Sequence, residues 1–336
     1  MNSAVLILTW NGGETALRCL HSLAALDPAP GEIVVVDNGS HDGTADRVAT
    51  SFPHVTLIRN AANLGFAGGM NTGLKALLAL PDPPEAIVLL NQDTVVDQGW
   101  LGAILAPLAA DATVGAVGCK IRYPDGTLQH AGGWLEPTRA VAHHLGMHEA
   151  DMGQHDTPRS FAYLTFAAVA LRVAALGSVG LFDEGYAPAY YEDVDLCWRL
   201  RRAGFALHYA PQATLIHQES LSLRDELTRS SHYNRGRLRF LLKSYPLDEL
   251  LGPFAAAETA FLHEYAHYPE GRVLRYAYGE TLAALPEIVA LRRTLDPDLP
   301  AHAQARLHEL LLGLRRTLTG VLYRRAIACA DELYAL

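Results

Sequence analysis

The residues able to do chemistry gather in short polar clusters at the ends of apolar runs. In IVLLNQDTVVD, residues 87–97, four apolar residues lead straight into Asn91-Gln92-Asp93, and apolar character resumes at Val95. Asn91 and Asp93 stand at i, i+2, a spacing that suits magnesium or manganese. Those ions take oxygen ligands, often one or two carboxylates, and complete their octahedron with phosphate and water. An Asx-turn accounts for the same triplet, and on local sequence alone it is the simpler account.

The sharpest segment is YYEDVDLCWRLRRAG, residues 190–204, where Glu192, Asp193 and Asp195 crowd the start of a helix that Gly204 ends. Acids complement the positive N-terminal dipole, and Asp195 with Arg199 makes an i, i+4 pair. Three acids within four residues still exceed what capping needs. One of them is a candidate general base, held on a rigid helix terminus.

Three further clusters are weaker alone. In VVVDNGSHDGT, residues 34–44, turn and cap chemistry explains Asn38 to Thr44 but leaves Asp37, an acid closing an apolar strand. Its carboxylate could accept hydrogen bonds from a nucleobase or ribose. In RNAANLGFAGGMNTGL, the glycines at 65, 68, 69 and 73 miss the G-x-G-x-x-G spacing. Either this is a glycine-rich helix start, or backbone approaches a nucleotide there with Asn63 and Asn71 offering hydrogen bonds. His217 ends the apolar strand of ATLIHQES, and counts as a ligand only if it converges with Asp93.

These clusters need a scaffold, and the periodicity supplies one. Runs at 4–8, 32–37, 55–60, 86–91 and 114–119 read as strands, with helical spacing at 13–26, 43–52, 67–80 and 98–110. Such alternation predicts an α/β domain with a mostly parallel sheet, whose ligands bind beyond the carboxyl ends of its strands. Residues 120–160 are loop-heavy and expected to cover the site. FAYLTFAAVALR (161–172) and FALHYAPQATLIH (205–217) return to strand, and strand signals vanish after residue 222. The expected division is a catalytic domain over 1–222, with a nucleotide-binding half at 1–119 and an acceptor half at 120–222, then a helical region over 223–336. Leu307, Leu311, Leu314, Leu318 and Val321 share one helical stripe, suited to a homodimer interface or a membrane surface.

Composition narrows the classes. The chain has 336 residues, 50% hydrophobic and 19% charged, with a net charge of −9. A general nucleic-acid binder would carry a basic face instead. The charge is uneven: residues 1–220 hold 12 Lys/Arg against 22 Asp/Glu, so an anionic ligand there needs a metal or aimed backbone amides. Four cysteines without a CxxC pair suggest reduced thiols, and the N-terminus has no basic n-region of a signal peptide. The apolar run 161–171 is too short to span a bilayer. A cytoplasmic protein is expected.

In order, ILTWNGGETALRCLHSL, VVVDNGSHDGT, NLGFAGGMNTGL, LLNQDT, GLFDEGYAPAYYEDVDLCWRLRRAG and IHQES resemble the motifs of family 2 glycosyltransferases. These are inverting, metal-dependent enzymes of GT-A fold, and the likeness is to the branch with bacterial rhamnosyltransferases. It covers residues 3–220. The resemblance implies that Thr9, Asn11, Asp37 and Asn63 hold the donor's base and ribose; the local reading adds Asn71 as a donor contact and Asn91 as a water or sugar contact. It makes Asp93 the ligand of Mn2+ or Mg2+, His217 a further ligand, and Asp193 the base. Glu192 and Trp134 are then the candidates for positioning the acceptor or the sugar.

The implied donor is a nucleoside-diphosphate sugar, and the implied acceptor a glycan or lipid-linked glycan at the inner face of the plasma membrane. An amide at Asn91, where the family commonly has Asp, lowers the charge beside the phosphates, so the metal is expected to arrive with the nucleotide. Arg235, Arg237 and Arg239 could approach a diphosphate or an anionic lipid, against a default of a solvated helix face. Two rivals remain. A nucleotidyltransferase would want a basic glycine-rich loop, and TWNGGETAL has no Lys or Arg before Arg18. A non-catalytic sugar-nucleotide-binding protein of the same fold would share every motif.

Overall fold

The computed structural model describes residues 1–218, 225–266 and 270–334. Glu219 and Ser220 of the IHQES motif, and the expected boundary at residue 222, lie outside the described residues. The chain divides into two compact units, 1–135 with 142–222 and 136–141 with 223–336.

The first unit opens with the alternation that the sequence predicts. Strands β1 (Ser3–Thr9), β2 (Glu32–Asp37), β3 (Thr56–Arg59) and β4 (Ala86–Asn91) alternate with helices α1 (Gly13–Ala24), α2 (Thr44–Ser51) and α3 (Gly65–Leu78). Their pairings, β3 on β2, β2 on β1 and β1 on β4, are all parallel. Helices cover these strands, so β1 and β4 are buried along most of their length and read as unbroken apolar runs.

Past β4 the sheet becomes mixed. The order is β5 (Thr94–Val96), α4 (Trp100–Ala110), β6 (Val114–Arg122), β7 (Leu128–His130), β8 (Gly133–Leu135), β9 (Ala142–His144) and β10 (Arg159–Ser160). Then come β11 (Ala168–Arg172), α5 (Val173–Val179), α6 (Glu192–Arg202) and β12 (Ala206–His217). Strand β11 inserts antiparallel between β4 and β6, and β12 runs parallel to β6. The expected single strand over 161–172 is shorter. Phe161 N donates to Leu207 O and Ala162 N to Gly133 O, so the chain must turn at Phe166–Ala167 before β11 begins.

One irregularity matters for the site. The register of β12 against β6 shifts between Ala210 and Thr214, around Pro211. Proline has no N–H for the ladder, and bulges are where strands accept it. Beyond the bulge, β12 also pairs antiparallel with β5, placing His217 opposite Thr94.

The second unit holds α7 (Glu226–Ser244), α8 (Leu247–Glu249), α9 (Ala255–Tyr265), α10 (Glu270–Leu295) and α11 (Ala303–Tyr334). The α11 stripe does not face outward: Leu307, Leu311, Leu314, Leu318 and Val321 are all buried, and α11 packs on α9 and α10. Two of the three arginines are structural. Arg239 pairs with Glu287 at 2.6 Å, and Arg237, 1% exposed, pairs with Glu258. Glu258 also accepts from Arg139 Nε at 2.8 Å and the Tyr278 hydroxyl at 2.7 Å. No described helix is long and apolar enough to cross a membrane.

Burial alone would raise the Glu258 carboxyl, but the charges and hydrogen bonds of Arg237, then Arg139 and Tyr278, hold it down to about 2. A depressed carboxyl stabilises the fold above its unfolded value of about 4.3 and loses that contribution as pH falls toward the folded value. Removing one partner of a buried ion pair costs about 3–5 kcal/mol. Glu258→Ala is therefore expected to lower unfolding stability by that order at pH 7, with the deficit shrinking below pH ~4. Urea titration at the two pH values checks both.

Candidate active site

Asp93 sits in the turn between β4 and β5, and the β5–β12 pairing brings His217 against it. His217 Nε2 lies 3.1 Å from Asp93 Oδ1, and the Nδ1 lies 2.7 Å from Gln129 Oε1 on β7. His217 and Gln129 are buried, while Asp93 is partly open. A ring nitrogen facing an amide oxygen must donate, so Nδ1 carries the proton. In a neutral ring, Nε2 then presents its lone pair to a carboxylate oxygen. Two acceptors at that separation are stable only with something positive between or upon them, a proton or a metal cation.

The pair could hold a divalent cation: the Asp93 carboxylate suits Mn2+ or Mg2+, and the imidazole nitrogen, its other side fixed by Gln129, would be the softer second ligand. Among the described residues, no cluster of three His, Cys, Asp or Glu forms a metal site. The remaining ligands would come from water and phosphate. Asn91 ties the turn through its carbonyl, which accepts from Thr94 Oγ1 at 2.8 Å.

The neighbouring residue does a different job. Gln92 Oε1 accepts from Thr9 Oγ1 at 2.5 Å and Trp10 N at 3.1 Å. Thr9 is wholly buried, so its hydroxyl clamps Gln92 and does not face a ligand as the resemblance implies. A Cβ at Gly12 would stand 2.1 Å from Gln92 Oε1, so a larger residue there would displace this clamp.

At the end of β2, Asp37 is 3% exposed. Its Oδ2 accepts from Ser40 N at 3.2 Å, but Oδ1 is buried with no hydrogen-bond partner. A buried unpaired carboxylate oxygen is costly, and a ligand donor would satisfy it. Asn11, at φ 47°, accepts from His41 N at 2.9 Å through Oδ1. Exposed Asn63 accepts from Asn38 Nδ2 and Gly65 N at 2.9 and 2.8 Å. Asn71 is occupied elsewhere: its Nδ2 donates to Phe182 O and Glu184 Oε1, and its Oδ1 accepts from Phe182 N. Far from the donor role implied for it, Asn71 staples the 182–184 turn to α3.

The three acids of α6 separate by environment. Asp195 is fully buried and bonded to Arg199 Nε at 2.9 Å and the Tyr186 hydroxyl at 3.2 Å. It is structural. Glu192 is buried, its Oε2 has no hydrogen-bond partner, and burial followed by the charge of Asp193 pushes its carboxyl well above the usual range. Asp193 is partly open and accepts from Val194 N at 2.7 Å. Burial pushes it up to about 6, against backbone N–H groups of Val194 and Phe166 that favour the charged form. Glu192 holds its proton more firmly, so Asp193 is the acid that ionises near neutrality.

Backbone strain marks the same spot. Tyr190 and Tyr191, just before α6, have φ of 83° and 76°, a left-handed region costing roughly 1–2 kcal/mol per residue. Trp134 stands apart on β8, its ring stacked on His143 at 4.1 Å. Sequence reasoning missed Gln92 and Gln129. No sequence signal marks Gln129, because all three residues of β7 are buried and strand alternation does not single it out.

Residues 2–237 match the family described as glycosyltransferase like family 2. The N-acetylglucosaminyl-diphospho-decaprenol L-rhamnosyltransferase of Mycobacterium tuberculosis is 28% identical over 260 residues, 70% of this chain and 83% of that protein. Two solved structures share the fold. The crystal structure of GalNAc-T7 with UDP, GalNAc and Mn2+ matches 89% of this chain at a TM-score of 0.61 and 16% identity, and this chain spans 58% of it. A mannosyltransferase from Pyrobaculum calidifontis with GDP-Man and Mn2+ matches 95% of this chain and 86% of its own at a TM-score of 0.52 and 20% identity.

Asn71→Ala removes all three bonds to the 182–184 turn. It is expected to destabilise by about 1–3 kcal/mol and to speed hydrogen exchange at the Phe182 amide. Unchanged exchange there would show that Asn71 is not the staple.

Proposed function

The chain belongs to glycosyltransferase family 2 and is a glycosyltransferase, and from that premise we propose a metal-dependent, inverting transfer in bacterial surface-polysaccharide synthesis. The donor is a nucleoside-diphosphate sugar, dTDP-rhamnose or a UDP-sugar. The acceptor is a hydroxyl of a glycan or lipid-linked glycan, met by a cytoplasmic protein lying at the membrane's inner face. The rhamnosyltransferase name of the Mycobacterium relative supports that acceptor and sugar class.

The observation that carries this reading is the meeting of Asp93 and His217 at 3.1 Å beyond the strand ends, where sheets of this kind bind ligands. Asp93 and His217 would hold Mn2+ or Mg2+, which neutralises charge growing on the leaving diphosphate. Gln129 keeps the His217 ring turned so that Nε2 faces Asp93. Asp37 Oδ1 accepts a hydrogen bond from the base or ribose, with Asn11 and Asn63 flanking it. Asn91 contacts water or sugar.

Asp193 is the base. The acceptor oxygen forms a bond to the anomeric carbon as the bond from that carbon to the diphosphate breaks on the opposite face. The hydroxyl proton passes to the Asp193 carboxylate. An acid at about 6 is charged at neutral pH yet still basic enough to accept that proton. Glu192, kept neutral, can donate a hydrogen bond to a sugar hydroxyl.

Two outcomes test the assignment. Asp193→Asn is expected to bind donor nucleotide like the wild type and to lose ~10²–10⁴ of the transfer rate. Wild-type transfer is expected to rise through pH 6 and level off above it, because protonation removes the base; the variant lacks that limb. Wild-type turnover in the variant would remove Asp193 as the base.

A further inference from the structure

A second crevice in the first unit has no part in the chemistry above. It has a volume of about 570 Å³ and is lined by Trp134, Ser160, Phe161, Arg201, Gly204 and Phe205, among others. That is within the range of pockets that hold small ligands, roughly 300–1,000 Å³. Arg201 is on the last turn of α6, eight residues from Asp193. Eight residues of helix are about 12 Å, so the crevice is remote from the base.

Its lining is specific. Trp134 is 47% exposed, and its ring is held by His143, stacked at 4.1 Å with 13° between planes. One face of the indole is thus covered, and the ring is a fixed shelf. Scattered exposed apolar residues are ordinary, but this one borders a cavity. Arg201 is exposed and makes no ion pair or side-chain hydrogen bond among the described residues. Its place at a helix C-terminus explains a cation there, though not its aim at the crevice wall. Ser160 adds a hydroxyl, and its strand β10 is at the edge of the sheet, leaving backbone polar groups for a ligand.

A flat aromatic shelf beside a guanidinium, a hydroxyl and free backbone groups matches a sugar ring, which is apolar on its C–H face and polar around its rim. We propose that this crevice is a saccharide subsite, taking a sugar unit of the acceptor remote from the hydroxyl under attack. The proposal deepens the glycosyltransfer reading and rests on it. It predicts that the enzyme distinguishes acceptors by length, since a short acceptor reaches Asp193 without reaching Trp134.

Saturation-transfer NMR on the full chain with UDP and Mn2+ tests this, using chitotriose, maltotriose and trigalacturonate as probes. At least one trisaccharide is expected to bind. Trp134→Ala and Arg201→Ala are each expected to weaken that binding by about tenfold or more, and Trp134→Phe to retain it. UDP binding in the same samples is expected to be unchanged, and serves as the separate check on the glycosyltransfer reading. No trisaccharide signal alongside normal UDP binding would overturn the subsite. So would trisaccharide binding that survives both alanine substitutions.

Discussion

His217 meets Asp93 because a proline-bearing bulge lets one long strand change partners. Up to Ala210, β12 follows β6; past Pro211 its last residues also pair with β5. Without that shift, His217 would not stand opposite Thr94, and the turn carrying Asp93 would have no imidazole beside it. The short strand β7 then supplies Gln129, which fixes the ring. Three segments far apart in sequence converge on one imidazole ring, Gln129 at Nδ1 and Asp93 at Nε2, and the 3.1 Å contact of Nε2 with the carboxylate is one that a proton or a cation satisfies.

At the start of α6 the structure divides three acids by environment. Arg199 and Tyr186 take Asp195 out of play. Burial, followed by the charge of Asp193, raises the Glu192 carboxyl, and backbone N–H groups partly offset burial at Asp193. The same sequence run therefore holds one acid in a buried ion pair and two whose carboxyls are raised to different degrees, which is the division the proposed roles need. The strained backbone at Tyr190 and Tyr191 is placed where it sets the angle at which α6 begins, and strain of this kind persists only where the surroundings over-determine it.

Much of this was legible in the sequence. The parallel half of the sheet follows from apolar strands alternating with helical spacing, and its polar ends follow from where those runs stop. What one-dimensional patterns could not give was the occupancy of each polar side chain. Thr9 and Asn71 have ligand-like types, yet their bonds go to Gln92 and to the 182–184 turn. The α11 stripe was readable as apolar, but periodicity does not tell an inner face from an outer one. Gln129 was invisible because its role exists only once β7 folds onto β6.

If Asp93 and His217 hold a divalent cation together with a nucleotide diphosphate, uptake of the cation must depend on both residues and on the nucleotide. Electron paramagnetic resonance of free Mn2+, titrated into the chain with and without UDP, measures it directly. Tight uptake is expected with UDP, weaker by about tenfold or more without it, with a comparable loss in Asp93→Ala and His217→Ala. Uptake equally tight without nucleotide, or unaffected by either substitution, would contradict it.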